Sequence, residues 1–478
     1  MSIVVIGAGP AGLAAARSAL RAGADVTLLD SSDQLGGQFW RHLPETSRAA
    51  KQHVLHHKWS TFEALASEIT QHPRCTIVTS AQVWLLEQRD QGTPRVHAHV
   101  GPVDSGGRES LTLEPDALIL ATGAHDRTLP FSGWTLPGVY TAGAAQAIAK
   151  SERIALGSRV VVAGAGPFLL PVAQSLALTG ARVRGVYEAT TLPALARGWG
   201  AKPWKLGAAV GKMPELAGYV ASHVRHSIPY LTGRAVVEAH GTDRVEAVTI
   251  ARVDENWAPI AGSETKIEAD AVCVSHGFTP RLELAIAAGC SIGPDRFVEV
   301  DARQRTSTRG VYAVGELTGI AGADAALAEG EIAGHFAARG PRSAAVSRAA
   351  RSRDRFVDFG VRLDAVHAPR RGWTHWLRDD TVVCRCEEVT RGELDSIRSQ
   401  TASCGLRSLK LSTRAGLGIC QGRICGRSVE ELLGDNFADG VPTDRRPIVS
   451  PVRIGDLAGQ ALGGSQPDER SPEEPPPQ

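Results

Sequence analysis

Residues 2–30 read SIVVIGAGPAGLAAARSALRAGADVTLLD, and the fold follows from them. Residues 2–7 are an apolar, β-branched run, the pattern of a parallel strand buried on both faces. Gly7-Ala-Gly9-Pro-Ala-Gly12 comes next, and an Ala/Leu-rich helical stretch runs on to about Ala22. Asp25–Asp30 is a second strand, so the opening is a βαβ unit. Gly7 permits the tight turn. Gly9 lets backbone approach a pyrophosphate seated on the helix N-terminus, and Gly12 lets helix and strand pack closely. Asp30 ends the second strand, where a carboxylate can accept hydrogen bonds from a ribose. A lone G-x-G-x-x-G is weak, but here strand, helix and acid agree on a dinucleotide site.

Further along, strands are expected near Cys75–Val83 and Val96–Val100, closing with the buried run Ala117–Thr122. The pattern then restarts. Arg159–Ala163 is a strand, Gly164–Gly166 a turn, Leu169–Thr179 a helix and Ala181–Glu188 the next strand, an internal repeat of the first unit. Its motif, Gly164-Ala-Gly166-Pro-Phe-Leu169, carries Leu at the third glycine position. A Leu there pushes the helix from the strand or tilts it, which weakens the phosphate cradle. Glu188 still ends the following strand, where it could hold a ribose. Either this second unit binds an adenine nucleotide through Gly164, Gly166 and Glu188, or it is structural. Ala271–Ser275 and residues 311–315 are further strands, and 320–336 an Ala-rich helix.

The division expected is a discontinuous FAD-type domain over 1–150 and 296–340, a second nucleotide domain over 151–295, and an Arg-rich connector over 341–380. A small domain over 381–433 and a tail over 434–478 follow, the tail disordered from about residue 463 by its Pro- and charge-rich composition. The fold class is α/β, with two Rossmann-like dinucleotide-binding domains and a small, mainly helical C-terminal domain.

The chain has 478 residues with 43% hydrophobic and 22% charged content, ample for several packed cores. A net charge of +1 gives no basic field for nucleic acid. The N-terminus enters a strand at once, without the pattern of a signal segment. No apolar run reaches the ~18 residues of a membrane span. A cytoplasmic protein is expected. Its 51 glycines suit backbone that approaches a ligand.

Five of the eight cysteines fall between residues 384 and 425. In a reducing compartment such clustering favours metal ligation over disulfides. Cys384-x-Cys386 and Cys420-x4-Cys425 form two close pairs, which suit a 2Fe–2S cluster with one pair per iron. Structural zinc favours wider C-x2-4-C spacing, and C-x-C is awkward for two ligands on one tetrahedral ion. Gly416, Gly418, Gly422 and Gly426 let backbone N–H groups turn toward sulfur. Cys404 stands outside both pairs. Cys75, Cys273 and Cys290 are isolated in apolar runs and read as core residues. Residues 1–340 therefore carry no redox disulfide. His125 and His276 follow strand ends, and we assign them no catalysis.

Two further stretches point to FAD. Ala121-Thr122-Gly123 ends a strand where the chain crosses between domains, and Gly315-Glu316 ends TRGVYAVGEL (308–317), where an acid can accept from a ribityl chain. This set resembles the two-dinucleotide-binding-domain, glutathione-reductase-like flavoproteins, in which the last acid is usually Asp. The segment CRCEEVTRGEL with TRAGLGICQGRICG resembles the bacterioferritin-associated ferredoxin-like 2Fe–2S domain. Leu35-Gly-Gly37-Gln38-Phe-Trp-Arg41, ATGAHDRTLPFSGWTLPGVYTAGAAQ (121–146) and GELTGIAGADAALAEGEIAG (315–334) are similar to a narrower family. It comprises opine oxidase α subunits, hydrogen cyanide synthase B subunits, and the FAD/2Fe–2S subunits of hydroxyproline and proline dehydrogenases.

That resemblance implies FAD held by Gly7, Gly9, Gly12, Asp30, Gly37, Gln38, Thr122, Gly123, Gly315 and Glu316. It implies a 2Fe–2S cluster on Cys384, Cys386, Cys420 and Cys425, and no catalytic acid or base on this chain. It also implies partners: a D-amino-acid-oxidase-like flavoprotein subunit that oxidises a small amine, and in some complexes a small ferredoxin-like subunit. The function expected is electron transfer within an amino-acid-type amine dehydrogenase or oxidase. Two alternatives stand beside it, a self-sufficient NAD(P)H-dependent reductase feeding its own cluster and a non-catalytic scaffold or redox-responsive subunit.

Overall fold

A computed structural model describes the chain except residues 45, 46, 48–51, 104, 106, 202–206, 342, 402–404, 435–445, 447, 456 and 458–478. Cys404 and the segment from residue 463 lie outside the described residues.

Two five-stranded parallel sheets organise the first 340 residues. In the first the order is Val311–Ala313, Ala117–Leu120, Ser2–Ile6, Asp25–Leu29, Cys75–Val78. In the second it is Val139–Thr141, Ala271–Ser275, Arg159–Gly164, Arg182–Glu188, Tyr230–Thr232. The two orders correspond strand for strand. Each unit also inserts a three-stranded antiparallel sheet at the same point, Ala81–Glu87 to Glu109–Leu113 in the first and Arg234–His240 to Thr265–Glu268 in the second. The continuous apolar runs of the sequence are buried on both faces because helices cover both sides of a parallel sheet.

One expected strand, Cys75–Val83, is two. The chain breaks at Ser80, whose φ is +52°, and Ala81 starts the antiparallel insert. Periodicity within one apolar run cannot reveal a change of sheet, because the alternation continues across it.

The first core packs helix Pro10–Arg21 against helix Ala323–Ala337. A Cβ at Gly330 would lie 2.1 Å from the Ala11 oxygen, and one at Gly334 2.1 Å from the Ala15 oxygen. Two glycines one turn apart thus let two Ala-rich helices touch backbone to backbone, and Ala333 and Ala337 are fully enclosed there.

The Arg-rich stretch after residue 340 holds one long helix, Ala344–His367, capped by the Ser343 hydroxyl accepting from Val346 N. Its apolar stripe is narrow: Val346 and Ala349 pack with Ile332, and Gly360 meets Ala321. The arginines cover the solvated side, which is why the sequence pattern looks mixed. The chain then forms a short hairpin, Val382–Cys384 with Val389–Thr390, and helices Arg391–Thr401, Leu406–Thr413 and Gly426–Leu433. Val383, Leu394, Leu409, Val429 and Leu433 make a separate small core there, with Cys384 and Cys425 in its wall. Among the described residues no helix is long and apolar enough to cross a membrane.

Candidate functional site

The first glycine turn is built as a cradle. Gly7 has φ +106°, and a Cβ on it would sit 2.3 Å from the Ala121 oxygen. A Cβ on Gly12 would lie 1.7 Å from the Gly7 oxygen. Helix Pro10–Arg21 therefore begins against the strand end, with Pro10 at its first position and Leu13 N donating to Gly9 O at 2.9 Å. Gly37, with φ +58°, lays the 35–40 loop over Gly9; a Cβ there would come within 2.8 Å of the Gly9 Cα. The Asp30 carboxylate accepts from Ala8 N at 2.5 Å and from Ser32 N at 2.7 Å. Each oxygen keeps lone-pair capacity for a hydroxyl donor. Gln38 is exposed beside this loop. The residues fit a flavin dinucleotide: the cradle excludes side-chain carbon and the acid is fixed at its far end.

Thr122 and Gly123 form the corner where the chain leaves this unit. Thr122 Oγ1 donates to Arg281 O at 3.0 Å, and Arg281 N donates to Gly123 O at 3.0 Å. The ribbon Ala124–Asp126 with Phe278–Pro280 carries the chain across and back. Gly315 and Glu316 sit on a 3-10 turn, Gly315–Leu317, after strand Val311–Ala313. Burial pushes the Glu316 carboxyl up to about 7.

A second acid was missed by sequence reasoning. Glu329, inside the Ala-rich helix, accepts from Gly315 N at 2.7 Å and Thr318 Oγ1 at 2.7 Å, and burial raises its carboxyl to about 7. An acid inside an apolar helical run was the available signal. Lys150 was also missed. It is buried, donates to Phe39 O at 2.9 Å and Gln146 Oε1 at 3.2 Å, and is pushed down to about 8 by burial. Asp324, in the first turn of helix Ala323–Ala337, pairs with Lys58 and with Lys212 at 2.9 Å. Nearby, Tyr219 bonds His57 Nε2 at 2.7 Å and donates to Glu215 at 3.0 Å. None of these had a motif to announce it.

The second turn has the same design with a different outcome. Glu188 accepts from Gly166 N at 2.8 Å and Thr190 N at 3.1 Å, as Asp30 does from its own turn. It is fully buried, and two more groups close on it: the Tyr230 hydroxyl at 3.1 Å and His367 Nδ1 at 3.4 Å. Burial alone would raise the Glu188 carboxyl, but His367 and the backbone donors hold it below the usual range. The end of helix Ala344–His367 stands over the turn. A Cβ on Gly166 would lie 3.8 Å from the His367 Cβ, and one on Gly198 2.3 Å from Val366 Cγ2. Leu169 is wholly buried, and the helix starts there rather than at Pro167. Its first turn is loose, with Val172 N at 3.4 Å from Phe168 O. A side chain at the third glycine position displaces the helix start, as its bulk requires.

The four motif cysteines converge. Cys384 and Cys425 are buried, and Cys386 and Cys420 are partly exposed. The thiol of Cys384 contacts that of Cys425, and Cys386 contacts Cys420, so each contact joins the two motifs. The hydrogen bond with Cys384, then burial, then the charges of the other three thiols raise the Cys425 thiol. Cys425 first, against the opposing effect of burial, and then the Gly416, Glu387 and Cys386 N–H groups bring Cys384 down to about 6. Gly416 N approaches Cys384 Sγ at 3.4 Å. A Cβ on Gly418 would lie 2.3 Å from the Cys386 Cβ, so only glycine lets the two cysteine loops close. Among the described residues no three His, Cys, Asp or Glu side chains gather as closely as one metal ion needs. The donor set fits a larger thiolate-bound centre, which needs four sulfurs and N–H groups aimed at them. Ion pairs Arg127–Glu431, Arg296–Glu430 and Arg378–Glu238 hold this region against the nucleotide units.

The family described as pyridine nucleotide-disulphide oxidoreductase matches residues 1–330. The A subunit of opine oxidase from Rhizobium meliloti is 33% identical, over 95% of this chain and 87% of its own. The HcnB subunit of hydrogen cyanide synthase from Pseudomonas protegens is 32% identical, over 88% of this chain and 89% of its own. Among solved structures, L-proline dehydrogenase from P. horikoshii superposes with a TM-score of 0.64. It covers 96% of this chain and 79% of that one at 18% identity, a likeness of fold.

Proposed function

The chain is an oxidoreductase of the pyridine nucleotide-disulphide oxidoreductase family, in the group that holds the opine oxidase A subunits, and on that premise we propose that it is the electron-transfer subunit of an amine-oxidising complex. In this reading it carries FAD on the Gly7–Asp30 cradle and a 2Fe–2S cluster on Cys384, Cys386, Cys420 and Cys425. A partner subunit of D-amino-acid-oxidase type would hold the substrate, an amino-acid-type amine such as an opine, proline, hydroxyproline or glycine. A small ferredoxin-like subunit would complete some assemblies.

One observation carries the reading: Asp30 is met by backbone N–H groups, while Glu188 is also engaged by the chain's own Tyr230 and His367. This engagement of Glu188 argues against a pyridine nucleotide as the hydride donor, and in this reading the electrons come from another chain. Bound FAD would supply two-electron chemistry and the cluster one-electron chemistry, which together split a hydride equivalent. The chain's own residues bind and orient. Gly7, Gly12 and Gly37 would admit the dinucleotide, Asp30 would accept from its ribose, Glu316 would accept from a ribityl hydroxyl, and Gly416 and Gly418 would shape the thiolate nest. In this reading the substrate proton is handled on the partner subunit.

The test is an anaerobic visible spectrum of the purified chain before and after NADH. Flavin and iron–sulfur bands that persist with NADH, and bleach once the partner subunit and the amine are both added, are expected. Rapid bleaching by NADH alone would overturn the reading in favour of a pyridine-nucleotide reductase.

A further inference from the structure

Arg423 lies inside the Cys420–Cys425 loop, and four groups fix it, of which Glu283 and His125 come from distant parts of the chain. Its guanidinium donates to Glu283 Oε1 at 2.5 Å, to Cys420 O at 3.2 Å and to Val449 O. Its backbone carbonyl is met at 3.1 Å by Nε2 of His125. A carbonyl only accepts, so this imidazole carries its proton on Nε2 and donates. His125 stands two residues past Gly123, on the ribbon strand Ala124–Asp126. Glu283 stands two residues past Arg281, whose backbone pairs with Gly123 O and Thr122 Oγ1. Both anchors of the thiolate loop therefore grow from the Thr122–Gly123 corner of the first nucleotide unit.

The hydrogen bond to the Arg423 carbonyl has a directional consequence. The peptide between residues 423 and 424 is planar and trans, so its N–H points opposite to its C=O. Holding the oxygen on His125 turns the Ile424 N–H away from the ribbon. The guanidinium, gripped by Glu283, keeps the loop from rotating about that bond. The reduction potential of a thiolate-bound iron centre depends on hydrogen bonds to its sulfurs and on solvent access. Both are set by the orientation of the peptides in this loop.

We propose that His125 is a positioning residue for the Cys420–Cys425 loop, fixing from the Thr122–Gly123 corner the potential of the iron–sulfur centre that the loop would hold. The proposal rests on the reading of these four cysteines as cluster ligands. His125 touches neither thiol nor flavin in this role; it acts through the Arg423 peptide. A Gln at 125 has an amide N–H that can reach the same carbonyl. An Asn is polar but too short, and an Ala has no donor.

The experiment compares the full chain with His125→Gln, His125→Asn and His125→Ala. Iron and flavin content, the electron paramagnetic resonance spectrum of the reduced centre and its redox titration are measured on each. Expected are wild-type iron and flavin in all four. Ala and Asn should shift the one-electron equilibrium about tenfold, which is about 59 mV, with a changed resonance line shape, while Gln stays near wild type. Equal midpoints in all four proteins would overturn the proposal, as would Gln shifting as far as Ala, since the side chain would then act by bulk. If the Ala protein does not fold, the Gln–Asn contrast decides the matter. A wild-type protein without an iron–sulfur signal would instead sink the cluster reading, and the proposal with it.

Discussion

The unit around Gly7–Asp30 and the unit around Gly164–Glu188 share strand order, antiparallel insert and an acid that binds its own glycine turn. They differ at two places. The first has Gly12 where the second has Leu169, and the first leaves Asp30 two protein partners where the second gives Glu188 four. The contrast teaches that a nucleotide fold and a nucleotide site are separable. A fully enclosed Leu169 helps pack the second core with Val160, Val162 and Val172, and the same side chain pushes the helix N-terminus off the turn.

The largest test transplants the difference. Gly12→Leu places carbon where the Gly7 oxygen now lies 1.7 Å from an ideal Cβ, so the purified variant should contain no flavin, read from its visible absorbance. The reverse change, Leu169→Gly, should not produce an NADH site. It should instead cost about 3 kcal/mol of stability through the lost buried side chain, measured by urea unfolding. Bleaching of Leu169→Gly by NADH would show that Leu169 alone had closed the site, and the contrast between the two units would reduce to one side chain.

Next comes Glu188. Glu188→Ala would strand the Gly166 and Thr190 N–H groups and the Tyr230 hydroxyl in a buried place, a loss of roughly 2–4 kcal/mol. Glu188→Gln keeps an acceptor and should lose less than half of that. Equal losses would mean that the charge, and therefore His367, matters more than the backbone donors.

The smallest effect sharpens the first unit. Glu329 has a carboxyl at about 7 against 4.5 when exposed, and Glu316 behaves alike. A raised acid contributes stability that is full below about pH 4.5 and is lost as pH rises through 7. These two acids should therefore lower the stability of the flavin-free protein between pH 5 and pH 8, by on the order of 2 kcal/mol per group, while buried His276, held down to about 3, works with the opposite sign below pH 6.5. Glu329→Gln, which still accepts from Gly315 N, should remove part of that slope. An unchanged slope would mean that Glu329 ionises without penalty. Glu188, already held below the usual range, contributes nothing to it between pH 5 and 8.

Both glycine turns, both terminal acids, the buried parallel strands and the two cysteine motifs were legible in the sequence. Each is a local pattern: a spacing of small residues, a run of β-branched ones, a pair of thiols. Steric room at Gly7 and Gly12 depends on neighbours within the same βαβ unit, so the motif itself reports it. The long helix Ala344–His367 was hidden by a narrow apolar stripe among arginines. Glu329, Lys150 and Asp324 were hidden because an acid or a lysine in a helix is ordinarily solvated, and only the packed neighbours make it otherwise.

What the tertiary structure alone decided lies between residues far apart in the chain. Two pairs of cysteines were read as pairs along the sequence, yet the thiols meet across the motifs, Cys384 with Cys425 and Cys386 with Cys420. His367 reaches Glu188 from 179 residues away, and Arg423 reaches Glu283 from 140. The sequence alone pointed to the glycines and acids with the chemistry of a dinucleotide site and to four thiols in two close pairs, because such capacities belong to residue types at short spacing. Whether a site stays open, and what holds its loops, depended on which distant element the packing brought over it. Hydrophobic burial sets that placement, and it is collective and non-directional, so no short stretch of sequence records it.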